Sequence, residues 1–160
     1  MKIIFLDVDG VLNCPTTTER CGKYSGIDKN CLSRLKNVID LTGAEIVLIS
    51  TWKQRWVKNE RLKFMQDELA NYLDSRFAEK NMRIYDKTRD DIDDEYITRG
   101  EGIAEYVNRV KPRKFVIVDD MEFDYADCGL KKFLVKTNAN NGLIEFNTKK
   151  IIRMLGEKEN

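Results

Sequence analysis

Histidine is absent from the 160 residues, and the four cysteines (Cys14, Cys21, Cys31 and Cys128) form no C-x-x-C pair. A zinc site or a Cys-His nucleophile is therefore not expected. Proline occurs only twice, and there is no Pro/Gly/Ser linker, internal repeat or low-complexity tract, so no domain boundary is drawn and residues 1–160 are read as one unit. Long apolar runs are also missing. The longest strongly apolar stretches (Ile3 to Leu6, Ile46 to Ile49, Phe115 to Val118) hold four residues each, far short of the ~18 that a membrane span requires. Lys2 leads straight into Ile3-Ile4-Phe5-Leu6 and then into acid, without the apolar stretch and cleavage site of a secretory signal. A cytoplasmic protein with reduced thiols and no membrane contact is expected. Charge of one sign is lacking too: the net charge of +1 rules out a general nucleic-acid coat, so any contact with a polyanion must come from a local patch.

What remains is a globular composition, 42% hydrophobic and 34% charged. Apolar runs rich in β-branched residues predict strands at Lys2–Leu6, Glu45–Ile49, Met82–Tyr85, Lys114–Val118 and Phe133–Val135. Between them, Leu32, Leu35, Val38 and Ile39 recur at helical spacing behind Asp28 as N-cap and before Gly43 as stop. Further helices are expected over about 56–72, 100–110 and 148–155. Strands alternating with helices, each strand a continuous apolar run, predict an α/β fold: a Rossmann-like, doubly wound sheet of about five parallel strands with helices on both faces.

In such sheets the reactive groups collect beyond the carboxyl ends of the strands. Asp7 and Asp9 follow the first strand in FLDVDGVLN, Ser50 and Thr51 follow the second in IVLISTW, and Asp119 and Asp120 follow the fourth in FVIVDD. Arg99 opens the helix that leads into that fourth strand. A bare cluster of acids in a partly dry crevice repels itself or forces one group to hold a proton. A hard divalent cation such as magnesium, which prefers oxygen ligands, removes that objection.

FLDVDGVLN, LIST, RGEGI and VIVDD resemble the four ordered motifs of the haloacid dehalogenase superfamily, over Phe5 to Asp124. The resemblance implies a magnesium-dependent phosphatase that works through an aspartyl-phosphate intermediate. Asp7 becomes nucleophile and metal ligand, and Asp9 becomes the general acid/base, its main-chain carbonyl also touching the metal. Ser50, with Thr51 beside it, would hold the transferring phosphoryl group. Arg99 takes the place of the family's usual lysine, with Lys111, Arg113 and Lys114 as alternatives from the other end of the helix. Asp120 matches the fourth-motif metal ligand, Asp119 assists it, and Asp124 has the spacing of the motif's trailing acid. Crowding by other acids is expected to fit Asp9 for its role.

The 14 residues from Cys14 to Ile27 suffice for a flap but not for a folded cap, so the site is expected to be open. Lys53 and Arg55 after the second motif, with Lys87 and Arg89 after the third strand, suggest a cationic rim. The short layout resembles the phosphatase module of polynucleotide repair enzymes, which favours a nucleotide or polynucleotide end as substrate. A small metabolite and a phosphoprotein are the alternatives, and no obligate protein partner is inferred. Trp52 and Trp56 are read as packing residues, and the acidic run of Asp90, Asp91, Asp93, Asp94 and Glu95 as a solvated surface. Two other classes stay open. One is a receiver-type signalling domain with Asp86 as phosphoacceptor; the other is a catalytically silent relative that only binds phosphate.

Overall fold

Lys2–Leu6 (β1) is apolar on both sides because it separates two cores. Ile4 and Leu6 pack into one hydrophobic cluster and Ile3 and Phe5 into the other. The computed structural model describes residues 1–89 and 96–158, so the acidic run at 90–95 lies outside the described residues. In chain order there follow a small antiparallel hairpin of β2 (Arg20–Cys21) and β3 (Tyr24–Ser25), α1 (Lys29–Thr42), β4 (Glu45–Leu48), α2 (Glu68–Ala78) and β5 (Ile84–Lys87). Then come α3 (Arg99–Val110), β6 (Lys114–Asp119), β7 (Leu134–Lys136) and α4 (Glu145–Leu155). The main sheet has the order β5-β4-β1-β6-β7 and is parallel throughout. Residues of α1, α2 and α4 cover one face; α3 and the segment containing Tyr125 and Leu130 cover the other. The expected doubly wound sheet of five parallel strands is therefore present.

The chain leaves β1 toward β4 on one side and later fills the other side with β6. That reversal opens a crevice at the carboxyl ends of adjacent strands. Leu6 pairs with Val118, and the Asp7 N–H donates to the Val118 carbonyl at 3.0 Å, which carries the ladder one residue further and sets Asp7 beside Asp119. The helix predicted behind Asp28 is α1. The Asp28 side chain accepts from the N–H groups of Asn30 and Cys31, and Gly43 closes the helix at φ 65°.

The helix expected over 56–72 is not formed as one piece. The chain makes 3-10 turns at Thr51–Arg55 and Glu60–Met65, and α2 starts only at Glu68. Ser50, Asn59 and Asp67 each turn a side-chain oxygen onto a nearby backbone N–H, and such local bonds compete with a continuous helix. Elsewhere β5 runs two residues later than expected and β7 one residue later, while α4 starts three residues earlier, where Asn147 Oδ1 accepts from the Ile144 N–H at 3.1 Å. The flap between Cys14 and Ile27 contains the β2–β3 hairpin, pinned to α2 by the Tyr72 hydroxyl at 3.0 Å from the Ile27 N. No helix among the described residues is long and apolar enough to cross a membrane, and all four cysteines are free thiols.

Gly10 is required by the way the β1 loop approaches β6. Its φ is +75°, its carbonyl accepts from Thr137 Oγ1 at 2.8 Å, and a Cβ there would lie 2.6 Å from the Asp120 carboxyl carbon. Gly129 has a similar φ of +70° with nothing within 4 Å of an added Cβ. Gly129→Ala should cost only the left-handed backbone strain that it introduces, about 1–2 kcal/mol. Gly10→Ala should cost that and the displacement of Asp120 as well. Denaturant unfolding of both variants checks this, and equal losses would show that Asp120 yields freely.

Candidate acid site

Arg99 is the first residue of α3, and its position follows from how that helix begins. Thr98 caps it, accepting from the Glu101 N–H while Glu101 reaches back to the Thr98 N–H. Asp124 binds the same end: its carboxylate accepts from the Thr98 hydroxyl and from the Gly100 N–H at 2.9 Å. A Cβ on Gly100 would come within 2.8 Å of both Asp124 and Cys128, so only glycine lets the helix end approach this closely. Burial opposes the Asp124 charge, but the Thr98 and Gly100 bonds outweigh it and hold the carboxyl below its ordinary range.

Thus anchored, Arg99 extends Nη1 between two carboxylates, 2.7 Å from Asp119 Oδ2 and 3.3 Å from Asp7 Oδ1. The Phe123 ring covers the guanidinium at 4.1 Å, an arrangement that adds cation–π attraction. Asp119 is fully buried, yet its oxygens are engaged: Oδ2 also accepts from the Tyr125 hydroxyl at 2.6 Å and Oδ1 from the Met121 N–H at 2.9 Å. Burial, then Asp119, push the Tyr125 phenol well above its ordinary range, so it remains a donor. Burial lowers the Arg99 proton affinity, but the two acids more than offset this and raise it.

Asp7 and Asp120 are the members of this group that face open space. Both line a cavity of about 470 Å³ with Asp9, Asn13, Thr51, Arg99 and Phe123. Burial pushes Asp7 up to about 7, against the pull of Arg99 and with Asp119 adding to the rise. Burial, then Asp119, also raise Asp120. Oxygens of Asp7, Asp119 and Asp120 all lie within 4.8 Å of one another, a set that could hold a metal ion. The donors are carboxylates without thiol or imidazole, which suits a hard cation.

Asp9 is exposed at the cavity rim, and its neighbours are not the crowd of acids expected from the sequence. Oδ1 accepts from Asn13 Nδ2 at 2.8 Å and Oδ2 from the Trp52 indole N–H at 3.0 Å. Asn13 in turn takes the Gly10 N–H at 3.0 Å, so one side chain fixes both the loop and the carboxylate. The crowding falls on Asp7 instead.

The hydroxyl pair after β4 is divided. Ser50 is buried, with its oxygen accepting from the Trp52 N–H at 3.3 Å, while exposed Thr51 lines the cavity. Lys53 is drawn away from the acids: Nζ lies 2.9 Å from Thr88 Oγ1 and 2.7 Å from the Arg89 carbonyl. Lys87 Nζ donates to the Lys53 carbonyl at 2.9 Å, and Arg89 pairs with Glu105 at 3.3 Å. Three members of the expected cationic rim thus bind the protein itself, and Arg55, the fourth, is exposed. Lys111 closes the far end of α3, with Arg113 and Lys114 beyond it, so Arg99 is the cation brought to the acids. Asp86 sits on the edge strand β5, bonded to Lys58 at 2.8 Å and Tyr106 at 3.0 Å, remote from the position a receiver domain would need.

A larger cavity, about 730 Å³, lies between α2 and β5, but its polar groups satisfy one another: Trp56 and Lys63 both bond Asp74, at 2.9 and 2.6 Å. The smaller cavity, lined by acids whose proton affinity burial raises, is the candidate site. The sequence reading missed Tyr125, Asn13 and the indole N–H of Trp52 as site residues. Asn13 ends the quoted FLDVDGVLN stretch, and Tyr125 directly follows Asp124, but no spacing marks either as a hydrogen-bond partner.

A family model described as the HAD domain in Swiss Army Knife RNA repair proteins matches residues 3–147, and the chain belongs to that family. No curated protein and no solved structure matches the chain.

The position of Asp7 has a consequence for stability. Below about pH 4 folded and unfolded chains both keep its proton, and nothing is lost. Between about pH 4 and its folded value of about 7, only the unfolded chain releases the proton, so this group makes stability fall as pH rises. The loss is on the order of 4 kcal/mol in all. Urea unfolding in chelator at pH 5 and pH 8 should show wild type losing ground to Asp7→Asn. Parallel behaviour of the two proteins would contradict the burial assigned to this carboxyl.

Proposed function

We propose that the chain is a divalent-cation-dependent phosphomonoester hydrolase, that magnesium is its cation, and that its substrate is a phosphorylated RNA or nucleotide end. The observation that carries this reading is the buried Asp7 carboxyl, set against Arg99 at 3.3 Å and open on its other side to the cavity. A nucleophilic carboxylate must be dry enough to attack and must face a cation that receives the phosphoryl charge. The RNA-repair description of the family supports the substrate class. The cavity supports it too, being bordered by Pro15, Ser25, Met121 and Ala139, with no folded cap domain among the described residues.

In this mechanism an Asp7 oxygen attacks phosphorus as the bond to the leaving oxygen breaks, and Asp9 gives that oxygen its proton. Water then attacks the aspartyl phosphate, Asp9 takes the proton back, and inorganic phosphate leaves with Asp7 restored. Arg99 supplies N–H donors to the phosphoryl oxygens, and the exposed Thr51 hydroxyl, which lines the same cavity from the turn after β4, adds a further donor. Asp7 and Asp120 would hold the cation, joined, as the family resemblance implies, by the Asp9 main-chain carbonyl, while Asp119 is clamped by Arg99 and Tyr125. A cation held there would supply charge compensation for the paired acids and for the phosphoryl oxygens, and would favour the ionised form of Asp7 at neutral pH despite its burial.

Phosphate release from 5′- and 3′-phosphorylated oligoribonucleotides, mononucleotides and sugar phosphates tests the reading. Turnover should need magnesium, stop in excess EDTA and favour the nucleotide ends. Full activity in EDTA would rule out the mechanism, and a preference for sugar phosphates would rule out the substrate class.

A further inference from the structure

Trp52 is 5% exposed and packs toward Tyr72 with ring centroids 6.5 Å apart, yet its indole N–H does not face the core. It crosses from the turn after β4 to the loop after β1 and meets Asp9 Oδ2 at 3.0 Å. Trp56, four residues on and 2% exposed, spends its N–H on Asp74 at 2.9 Å, away from the acids. Two buried tryptophans of similar environment thus serve different carboxylates, and only one of these lines the acid cavity.

We infer that Trp52 and Asn13 are positioning residues that fix the orientation of the Asp9 carboxyl for proton transfer to the leaving group. This rests on the phosphatase reading above. A carboxyl group has about four lone-pair sites, and the indole and the Asn13 amide occupy one on each oxygen. The group is therefore held from both ends, and it retains sites for proton exchange on a side chain that lines the cavity. Asp9 is exposed and has no ion pair of its own among the described residues, so without these donors its side chain would rotate among rotamers. A proton donor that wanders by about an ångström loses much of its effect, on the order of 10²-fold. Trp52 suits this task because its ring is locked by packing, while its backbone N–H closes the turn at Ser50. The residue that directly follows the second motif thereby aims the acid of the first.

The test uses kcat/KM, which reports only steps through phosphoryl transfer to Asp7. Two substrates are compared: p-nitrophenyl phosphate, whose leaving group departs without a proton, and a phosphorylated oligoribonucleotide end, whose sugar oxygen needs one. Because both are measured on one preparation, the ratio is independent of the fraction folded. Trp52→Phe keeps the shape of the ring and removes the donor, and should lower the oligonucleotide-to-aryl ratio roughly ten- to a hundred-fold. Asn13→Ala should lower it in the same direction. Trp56→Phe removes a comparable buried bond and should leave the ratio unchanged. An unchanged ratio in Trp52→Phe, or an equal fall in Trp56→Phe, would overturn the inference while leaving the phosphatase reading standing. A wild-type protein that turns over neither substrate with magnesium would overturn both.

Discussion

The site depends on one guanidinium wedged between two buried carboxylates. Asp119 has no exposure to water and Asp7 very little, and two such acids side by side repel unless a cation sits between them. Arg99 Nη1 occupies that place, and much of the neighbouring sequence serves to hold it there. Thr98 and Glu101 start its helix, Asp124 binds the helix end, Gly100 lets that end come close, and Phe123 covers the guanidinium. Removing the cation would leave Asp119 buried and partly uncompensated, a loss on the order of 3–5 kcal/mol for a broken buried pair. Its second bond, to Asp7, links this structural role to the chemistry.

The five aspartates of the motifs are alike in sequence but not in the folded chain. Asp119 and Asp124 face inward, each bonded by hydroxyl and backbone donors, and act on the protein itself. Asp7 and Asp120 face the cavity, with raised proton affinity caused first by burial. Asp9 stands at the rim between neutral donors. Division of labour among the acids thus comes from burial and partners, and a cation added at Asp7 and Asp120 would meet a framework already balanced behind them.

Much of this was legible in the sequence because it rests on local rules. The apolar, β-branched run at Ile3–Leu6, stopping at acid and Gly10, fitted a buried strand, and Asp28 and Gly43 marked both ends of α1. Acids after two strands of a parallel sheet had to meet once those strands became neighbours, as the pairing of Leu6 with Val118 makes them. Features that depend on contacts between distant segments were not legible. Periodicity from Trp56 onward suggested one helix, but polar caps at Asn59 and Asp67 divided it. Lys53 read as part of a cationic rim beside the acids, but Thr88 and the Arg89 carbonyl draw it away. The Trp52 indole reads as core from its residue type, and only the 43-residue link to Asp9 reveals its second function.

The central claim is that Asp7, held dry against Arg99, is the atom source that attacks phosphorus. It is tested most directly by acid-quenching the enzyme during turnover of p-nitrophenyl phosphate, reducing with borohydride and mapping the product by mass spectrometry. Reduction converts an acyl phosphate on aspartate to homoserine, so the account predicts homoserine at position 7 and nowhere else. Homoserine at Asp9 or Asp120, a phosphoryl group on Ser50 or Thr51, or steady turnover with position 7 unmodified would contradict it.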